Sequence, residues 1–193
     1  MSTVLYIKAS PKENKESITF KISESFVKEY KKNNPDDKIV KLNLYKENID
    51  FLSNENIVDM EKDLNSVVRK YAIQFKKADK YIFAAPFWNL SIPAVLKAYI
   101  DYVCYSGVSF EYTESGPVGL LNDKKAVYIV SYGGIHSEKY DFAKGYLYAI
   151  LKLMGIEDIK TISCENTSVL LGKDLDKAVK DSVNIAKEMA VEF

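Results

Sequence analysis

The sequence has few residues that could form a disulfide framework or a metal centre. It contains only two cysteines, Cys104 and Cys164, and one histidine in 193 residues. The cysteines lack the spacing of metal ligands, so we predict no metal site. Free cysteines are usually buried and unreactive, and we therefore predict that both thiols lie in the protein core.

An excess of charge is also missing, and so is a long apolar run. The 27 basic and 27 acidic residues balance, so we expect neither nucleic acid nor an acidic membrane surface as a partner. No apolar segment approaches the roughly 20 residues that cross a bilayer. The first residues, MSTVLYIKAS, become polar too early for a secretory signal peptide. These absences together predict a cytoplasmic protein.

The sequence does contain a regular alternation of apolar, β-branched segments with segments of helical periodicity. The predicted strands span residues 3–9, 38–44, 79–85, 124–131 and 158–166. The predicted helices span residues 17–32, 61–78, 92–105, 139–155 and 174–190. This alternation is typical of an α/β protein with helices on both faces of a parallel sheet. We therefore predict one domain over residues 1–193, with a doubly wound five-stranded parallel sheet in the order 2-1-3-4-5.

Two segments do not fit the alternation. Residues 45–60 show no clear period, so their structure is left open. Residues 107–121, GVSFEYTESGPVGLL, begin with a short strand-like alternation and continue into the turn residues ESGPVG. We predict an excursion beyond the sheet, close to its carboxyl edge.

A ligand site is expected where the loops after strands one, three and four meet. In open α/β sheets, ligands bind outside the carboxyl ends of the strands, at the point where the strand order reverses. For the predicted order this point lies between strands one and three. The converging loops read SPKENKES (10–17), PFWNLS (86–91) and SYGGIHS (131–137).

The first loop is rich in hydroxyl groups and leads into a helix. Ser10, Ser17 and Thr19 lie in it or just after it. A helix N-terminus offers free N–H groups and a partial positive charge, which favour a phosphate. The loop contains no glycine and so matches neither a P-loop nor a dinucleotide fingerprint. The alternative is that Ser17 only caps the helix.

The other two loops offer flat surfaces and backbone donors. Phe87 and Trp88 could line a ligand or simply pack in the core, and the glycine pair 133–134 could approach a ligand or only form a turn. His136, beside this pair, could be structural, exposed or part of the site. Hydroxyls at a helix end suit a monophosphate, while aromatic rings and backbone donors suit a heteroaromatic ring. The combination predicts FMN.

Four stretches of the sequence resemble the FMN-dependent NADH azoreductases, which are flavodoxin-like homodimers related to the NAD(P)H:quinone oxidoreductases. These stretches are KAS followed by SIT, APFWNLSIPAVLKAYIDYV, GVSFEYTESGPVGL and SYGGIH, and the resemblance runs in order along nearly the whole chain. It implies a flavodoxin-like fold and a homodimer. It also implies bound FMN, NADH or NADPH as the electron donor, and a quinone or azo compound as the acceptor.

The resemblance also assigns cofactor contacts residue by residue. The FMN phosphate would be held by Ser10, Ser17, Ile18 and Thr19. The flavin ring would be lined by Pro86, Phe87, Trp88, Asn89 and Leu90, and its pyrimidine edge by Ser131, Tyr132, Gly133 and Gly134. Better-known members carry arginine in place of Tyr132 and tyrosine in place of Trp88. These departures leave the donor preference and the acceptor range open.

The implied reaction needs no catalytic side chain, because the flavin carries the chemistry. NAD(P)H would reduce the flavin and leave, and the acceptor would then take the electrons at the same face, in a ping-pong sequence that cleaves azo bonds to amines. We assign Phe110, Tyr112 and His136 to the substrate-facing wall. One alternative is a flavodoxin-type electron carrier, although such carriers tend to be strongly acidic. The other is a hydrolase, but the loops offer no recognisable Ser–His pair.

Overall fold

Five parallel strands form the centre of the protein in a computed structural model, which describes residues 1–47, 49–63 and 66–193, without the side chains of residues 59–62. A two-stranded hairpin, six α-helices and one short 3₁₀ helix (Glu138–Tyr140) accompany them within the described residues. In chain order, the strands and α-helices are β1 (Thr3–Lys8), α1 (Ile18–Asn33), β2 (Lys38–Asn43), α2 (Asn54–Lys62), α3 (Val67–Lys77), β3 (Lys80–Ala84), α4 (Ala94–Val103), β4 (Phe110–Thr113), β5 (Gly116–Gly119), β6 (Lys125–Ser131), α5 (Phe142–Leu153), β7 (Asp158–Cys164) and α6 (Gly172–Glu192).

The sheet has the strand order β2-β1-β3-β6-β7. Counted without the hairpin strands, this is the predicted order 2-1-3-4-5, and every pair in the sheet is parallel. The predicted sheet is therefore confirmed. The carboxyl ends of β1, β3 and β6 lie side by side, because Lys8 pairs with Ala84 and Ala84 pairs with Ile129.

Both faces of the sheet are covered, as the alternation of side chains along β1 illustrates. Val4 and Tyr6 belong to a core shared with α1 and α6. Leu5 and Ile7 point the other way, into a core shared with α3, α4 and α5. Successive strand residues point to opposite faces, so apolar side chains at consecutive positions need helices on both sides. Among the described residues, no helix is long and apolar enough to cross a bilayer.

The helix predicted over residues 61–78 is wrong in its first part. Helix α3 begins only at Val67, and Ser66 caps it by accepting a hydrogen bond from the backbone N–H of Arg69 at 3.3 Å. Such a serine favours a helix start over a helix interior. Residues 64 and 65 of the predicted helix lie outside the described residues. The segment 45–60, left open above, contributes most of helix α2.

Two other helices begin two or three residues later than predicted. Asp141 caps α5 by accepting from the Lys144 N–H at 2.9 Å, so the helix starts at Phe142 rather than at residue 139. Pro93 is the N-cap of α4 and lies just before its first turn. Helix α5 ends at Leu153, two residues before the predicted end, and Gly155 follows with a positive φ.

The excursion at residues 107–121 is an antiparallel hairpin, in which β4 pairs with β5. We predicted that this excursion lies close to the carboxyl edge of the sheet. The base of the hairpin lies instead at the amino edge. There the Leu121 N–H donates to the Met154 carbonyl at 2.8 Å, at the end of α5 and just before β7 begins. The reason is the direction of α4, which runs back from the carboxyl end of β3 and so delivers the following segment to the opposite edge.

The two cysteines are free, and they differ in depth. Cys164 lies in the core shared with α1 and α6, as predicted. Cys104 is only half-buried and packs against the opposite core. Burial raises the pKa of both thiols, which keeps them protonated and unreactive.

Candidate functional site

A cavity of about 210 Å³ opens at the carboxyl edge of the sheet, where the loops after β1, β3 and β6 converge as predicted. We call this cavity the cleft. Its lining is Ser10, Lys12, Glu16, Ser17, Ile18, Pro86, Phe87, Trp88, Ser131, Gly133, Thr167 and Ser168. Eight of these residues were assigned to cofactor binding from the sequence, and the four others are Lys12, Glu16, Thr167 and Ser168.

The polar end of the cleft is the start of helix α1. The Ser17 hydroxyl accepts a hydrogen bond from the Phe20 N–H at 3.2 Å, so Ser17 caps the helix. Ser17 also lines the cleft, so the cap is compatible with a ligand contact. The backbone N–H groups of Ile18 and Thr19 have no acceptor among the described residues. Two free donors at a helix N-terminus favour an anionic group.

Thr19 has a different position from the one predicted for a phosphate contact. Its side chain is fully buried, and its hydroxyl lies 2.7 Å from the Ser131 hydroxyl. This hydrogen bond joins the start of α1 to the end of β6. The Thr19 side chain therefore supports the wall of the cleft without lining the cavity, whereas Ser131 lines it.

An ion pair anchors the loop after β1 beneath the cleft. The Lys8 ammonium lies 2.8 Å from Glu24 and also hydrogen-bonds to Asn14 in the loop. A second lysine, Lys41, contacts the other oxygen of Glu24 at 3.1 Å. Burial alone would raise the pKa of Glu24, but the hydrogen bonds from Lys8 and Lys41 outweigh it and lower the pKa. Glu24 is therefore a carboxylate at neutral pH.

The loop after β3 folds into a tight turn that carries the aromatic side chains. Trp88 and Ser91 exchange two backbone hydrogen bonds of 3.0 and 2.9 Å, and the two residues between them, Asn89 and Leu90, have φ angles of 49° and 69°. Positive φ at both central positions is the pattern of a type I′ hairpin turn. Trp88 is 39% exposed. The core-packing alternative is therefore wrong for Trp88, whose ring stands at the surface of the cleft.

Tyr132 and His136 meet on one carboxylate behind the glycine loop. The Tyr132 hydroxyl donates to Asp141 at 2.7 Å, and the His136 Nε2 atom lies 2.8 Å from the same oxygen. The Tyr132 ring packs against Phe87, with 4.9 Å between ring centroids. Burial, followed by the hydrogen bond to Asp141, raises the pKa of Tyr132, so its hydroxyl stays neutral and keeps donating. This network fixes the glycine loop against the aromatic turn.

The loop after β7 was missed by the sequence interpretation. Thr167 and Ser168 donate their N–H groups to the carbonyls of Tyr132 and Gly133 at 3.0 and 2.9 Å, and both line the cleft. The missed signal was the hydroxyl-rich segment 166–168, which follows the strand next to β6. A Cβ atom on Gly133 would lie 3.0 Å from the Ser168 hydroxyl, so this packing favours glycine.

A wider apolar groove adjoins the cleft on the other side of Trp88. It has a volume of about 720 Å³ and is lined by Tyr45, Trp88, Asn89, Ser91, Ile92, Pro93, Ala94, Lys97, Phe142 and Tyr146. We call it the outer groove. Trp88 belongs to both cavities, so a flat ligand in the cleft would lie next to the groove.

The structure does not bring the three predicted wall residues to the cleft. Phe110 is buried within the hairpin, with Tyr112 packed edge-on at 5.2 Å, and Tyr112 is 74% exposed. His136 lines a small separate cavity with Asp141 and Lys144. Within the described residues of this one chain, neither cavity beside Trp88 is lined by Phe110, Tyr112 or His136.

A family model described as a flavodoxin-like fold matches residues 2–188. The chain belongs to this family. The observed strand order and the position of the cleft at its switch point agree with that fold.

Relatives and solved structures extend the similarity along the whole chain. An FMN-dependent NADH:quinone oxidoreductase of Clostridium perfringens (strain SM101 / Type A) is 53% identical, with both chains covered completely. An azoreductase of Bacillus anthracis str. Sterne superposes with a TM-score of 0.91 at 31% identity, again over both complete chains. An FMN-dependent NADH-azoreductase of Bacillus anthracis str. Ames Ancestor, in complex with FMN, gives a TM-score of 0.86 at 27% identity over 98% of this chain and 100% of its own. The family resemblance inferred from the sequence motifs is thus confirmed.

Proposed function

We propose that this protein is an FMN-dependent NADH:quinone oxidoreductase that also reduces azo compounds. The observation that carries the proposal is the cleft itself. It joins a helix N-terminus with free N–H groups to an aromatic turn and a glycine loop. The names of the relatives and of the solved structures support the same activity. We further propose that residues 1–193 act as one FMN-binding domain in the cytoplasm.

The residues of the cleft fit FMN at both ends. At the polar end, Ser10, Ser17 and the free N–H groups of Ile18 and Thr19 would hold the phosphate. At the other end, the half-exposed Trp88 ring offers a flat surface for the flavin ring. Asn89 and Leu90 would complete that side of the ring site, from the tip of the turn.

The glycine loop would meet the polar edge of the ring. The N–H groups of Gly133 and Gly134 have no acceptor among the described residues, so they are free to stabilise negative charge. Tyr132 would support the loop and not contact the flavin ring through its hydroxyl, because that hydroxyl already donates a hydrogen bond to Asp141. These donors are preorganised by the hydrogen bonds from Thr167 and Ser168.

When bound, FMN would supply the redox chemistry by accepting a hydride from NADH and passing the electrons to a quinone or azo acceptor. The chain would orient donor and acceptor and exclude water. Because the outer groove adjoins the cleft at Trp88, both substrates would reach the flavin from the groove in turn, which supports a ping-pong sequence. A hydrolase is less well supported, since the described side-chain hydrogen bond of His136 joins its Nε2 atom to Asp141 and not to a serine.

We also propose a homodimer in which the second subunit completes the wall of the outer groove, so that the site lies at the interface. Phe142 is 58% exposed at its edge, and neighbouring Tyr45 and Trp88 are also exposed. Apolar surface of this kind is typical of protein interfaces. In such a dimer, Phe110 and Tyr112 would have to reach the site of the other subunit to form a substrate wall. Sedimentation should then give twice the 21.9 kDa chain mass, and an active monomer would contradict the shared site.

The visible spectrum of the purified protein, recorded before and after addition of NADH, tests the function. We expect a flavin spectrum that NADH bleaches within the mixing time and that a quinone restores. A flavin that NADH leaves oxidised would favour the electron carrier instead. A protein that binds no FMN under any condition would reject the proposal.

A further inference from the structure

A third cavity lies beyond the first loop, on the side of β2, and its lining is mostly lysine. It has a volume of about 580 Å³ and is lined by Lys8, Lys12, Glu13, Asn14, Lys15, Lys41, Asn43 and Lys46. We call it the lysine pocket. Lys12 also lines the cleft, so the two cavities share a wall at the polar end of the proposed cofactor site.

The positive charge of this pocket is only partly neutralised. Lys8 and Lys41 both pair with Glu24. Lys12, Lys15 and Lys46, by contrast, have no ion pair with a carboxylate of the described residues. Glu13 also lines the pocket, but the five lysines outnumber the two carboxylates of Glu13 and Glu24. Since the whole chain has a formal net charge of zero, the pocket is a local concentration of positive charge rather than part of a basic protein.

Protection of the sheet edge explains only part of this cluster. β2 is an edge strand, and lysines on an edge strand discourage pairing with another chain. This accounts for Lys41, which lies within β2. Lys12, Lys15 and Lys46 lie in loops beyond the ends of the strands, where no edge needs protection. Their convergence on one cavity requires another reason.

The amide of Asn43 adds a neutral donor to the same cavity. Its side-chain oxygen accepts a hydrogen bond from the Tyr45 N–H at 3.1 Å, which fixes the orientation of the amide. The amide nitrogen has no acceptor among the described residues. Ammonium groups beside an oriented N–H donor suit a tetrahedral oxyanion, which offers several acceptor oxygens.

We propose that the lysine pocket binds an oxyanion carried by a substrate that enters through the outer groove. This inference rests on the proposed function, because the ligand that reaches both cavities would be a substrate of the flavin. Two substrate classes carry such a group: the phosphates of the nicotinamide dinucleotide and the sulfonate of a sulfonated quinone or azo acceptor. Tyr45 lines the outer groove and lies between Asn43 and Lys46, which line the pocket, so one molecule can extend from the groove into the pocket.

The test is calorimetric titration of the FMN-loaded protein with ligands that cannot react with the oxidised flavin. The variant is Lys15→Gln/Lys46→Gln, which leaves Lys12 in the cleft untouched. The matched control is Lys180→Gln/Lys187→Gln, which removes the same charge from the exposed side of α6. The ligands are NADP⁺, 1,4-naphthoquinone-2-sulfonate and the uncharged 1,4-naphthoquinone.

We expect the variant to bind at least one of the two anions about fivefold more weakly than the wild type, an effect that salt screens. The control variant and the uncharged quinone should show no change. Weaker binding of NADP⁺ alone assigns the pocket to the dinucleotide, and weaker binding of the sulfonate alone assigns it to the acceptor. Anion affinities that stay within about twofold in the variant, or no anion binding by the wild type, would overturn the proposal.

The result separates this inference from the proposed function. Binding of these ligands does not require turnover. If NADH fails to reduce the protein but anion binding depends on Lys15 and Lys46, the lysine pocket is supported and the proposed function is rejected. If NADH reduces the protein but anion binding is unchanged in the variant, the proposed function is supported and the lysine pocket is rejected.

Discussion

The two loops that face each other across the cleft are held in place by different forces. The loop after β1 is fixed by charge, through the ion pair of Lys8 with Glu24 and the hydrogen bond of Lys8 to Asn14. The turn after β3 is fixed by its backbone, through the two hydrogen bonds between Trp88 and Ser91. The first loop therefore depends on side chains that lie beneath it. The second needs none, which leaves its aromatic side chain free to face a ligand.

This difference predicts that the two loops respond to different perturbations. A charged anchor responds to pH and to substitution of a distant partner, because its energy lies in a few side-chain contacts. A backbone turn responds to the conformational preferences of its own residues. Substitutions at Glu24, Trp88 and Leu90 probe these differences, from the largest expected effect to the smallest.

The largest effect is expected from Glu24→Gln, which breaks the charged anchor. Lys8 is 7% exposed and would lose its counterion, while Glu24 itself is 28% exposed. We expect the free energy of unfolding to fall by about 1–3 kcal/mol at neutral pH, less than for a fully buried pair. FMN binding should also weaken, because Asn14 loses part of its support. Chemical denaturation and a fluorescence titration with FMN measure the two effects.

The same variant should change the pH dependence of stability. The pKa of Glu24 lies below its usual value of 4.5, so its contribution to stability is complete above pH 4.5 and is lost as the pH falls through the lowered pKa. The difference between wild type and variant should therefore shrink on acidification. Glu29→Gln is the matched control on the same helix, because its partner Lys32 is exposed. A Glu24→Gln protein as stable as wild type at pH 7 would contradict the charged anchor.

Trp88→Ala is expected to affect the ligand and not the fold. Trp88 is 39% exposed and its turn is held by the backbone, so the apoprotein should lose less than about 1 kcal/mol. FMN affinity should fall about tenfold, since the proposed aromatic contact with the flavin ring is removed. The control is Phe83→Ala, five residues earlier in the buried part of β3, where truncation should cost about 3–5 kcal/mol. Equal destabilisation by the two substitutions, or unchanged FMN affinity for Trp88→Ala, would contradict this role.

The sequence predicted those parts of the fold that depend on periodicity. The five strands of the sheet were found to within about two residues, because buried strands read as continuous apolar segments. The late start of α3 was missed because the helical periodicity continues through Ser66, although this serine caps the helix. The base of the hairpin was placed at the wrong edge because its position depends on the direction of α4, which a local pattern does not contain.

The positions of the candidate site residues were predicted where strand order alone decides them, and were missed where a contact between distant segments decides them. The convergence of Ser17, Trp88 and Gly133 followed from the switch point. The burial of Thr19 against Ser131 did not, because it depends on a hydrogen bond between residues 112 positions apart. Thr167 and Ser168 were missed for the same reason, since their loop folds back onto the glycine loop.

The smallest effect is expected from Leu90→Gly, which relaxes the second turn. Leu90 has a φ of 69°, a conformation that disfavours a branched side chain, whereas glycine adopts it freely. The substitution creates Asn-Gly, the preferred pair for a type I′ turn, so the apoprotein should become more stable by about 0.5–1 kcal/mol. Because Leu90 has a strained backbone and is 45% exposed, its side chain contributes little to the stability of the folded chain. We therefore expect its apolar side chain to contribute through the cofactor, and FMN affinity should fall although stability rises.

Asn89→Gly is the control, because asparagine already tolerates positive φ and its replacement should change stability much less. The melting temperature of the apoprotein and the FMN dissociation constant, measured for both variants, test this prediction. A less stable Leu90→Gly protein would show that the turn is unstrained, and an unchanged FMN affinity would remove Leu90 from the proposed cofactor contacts.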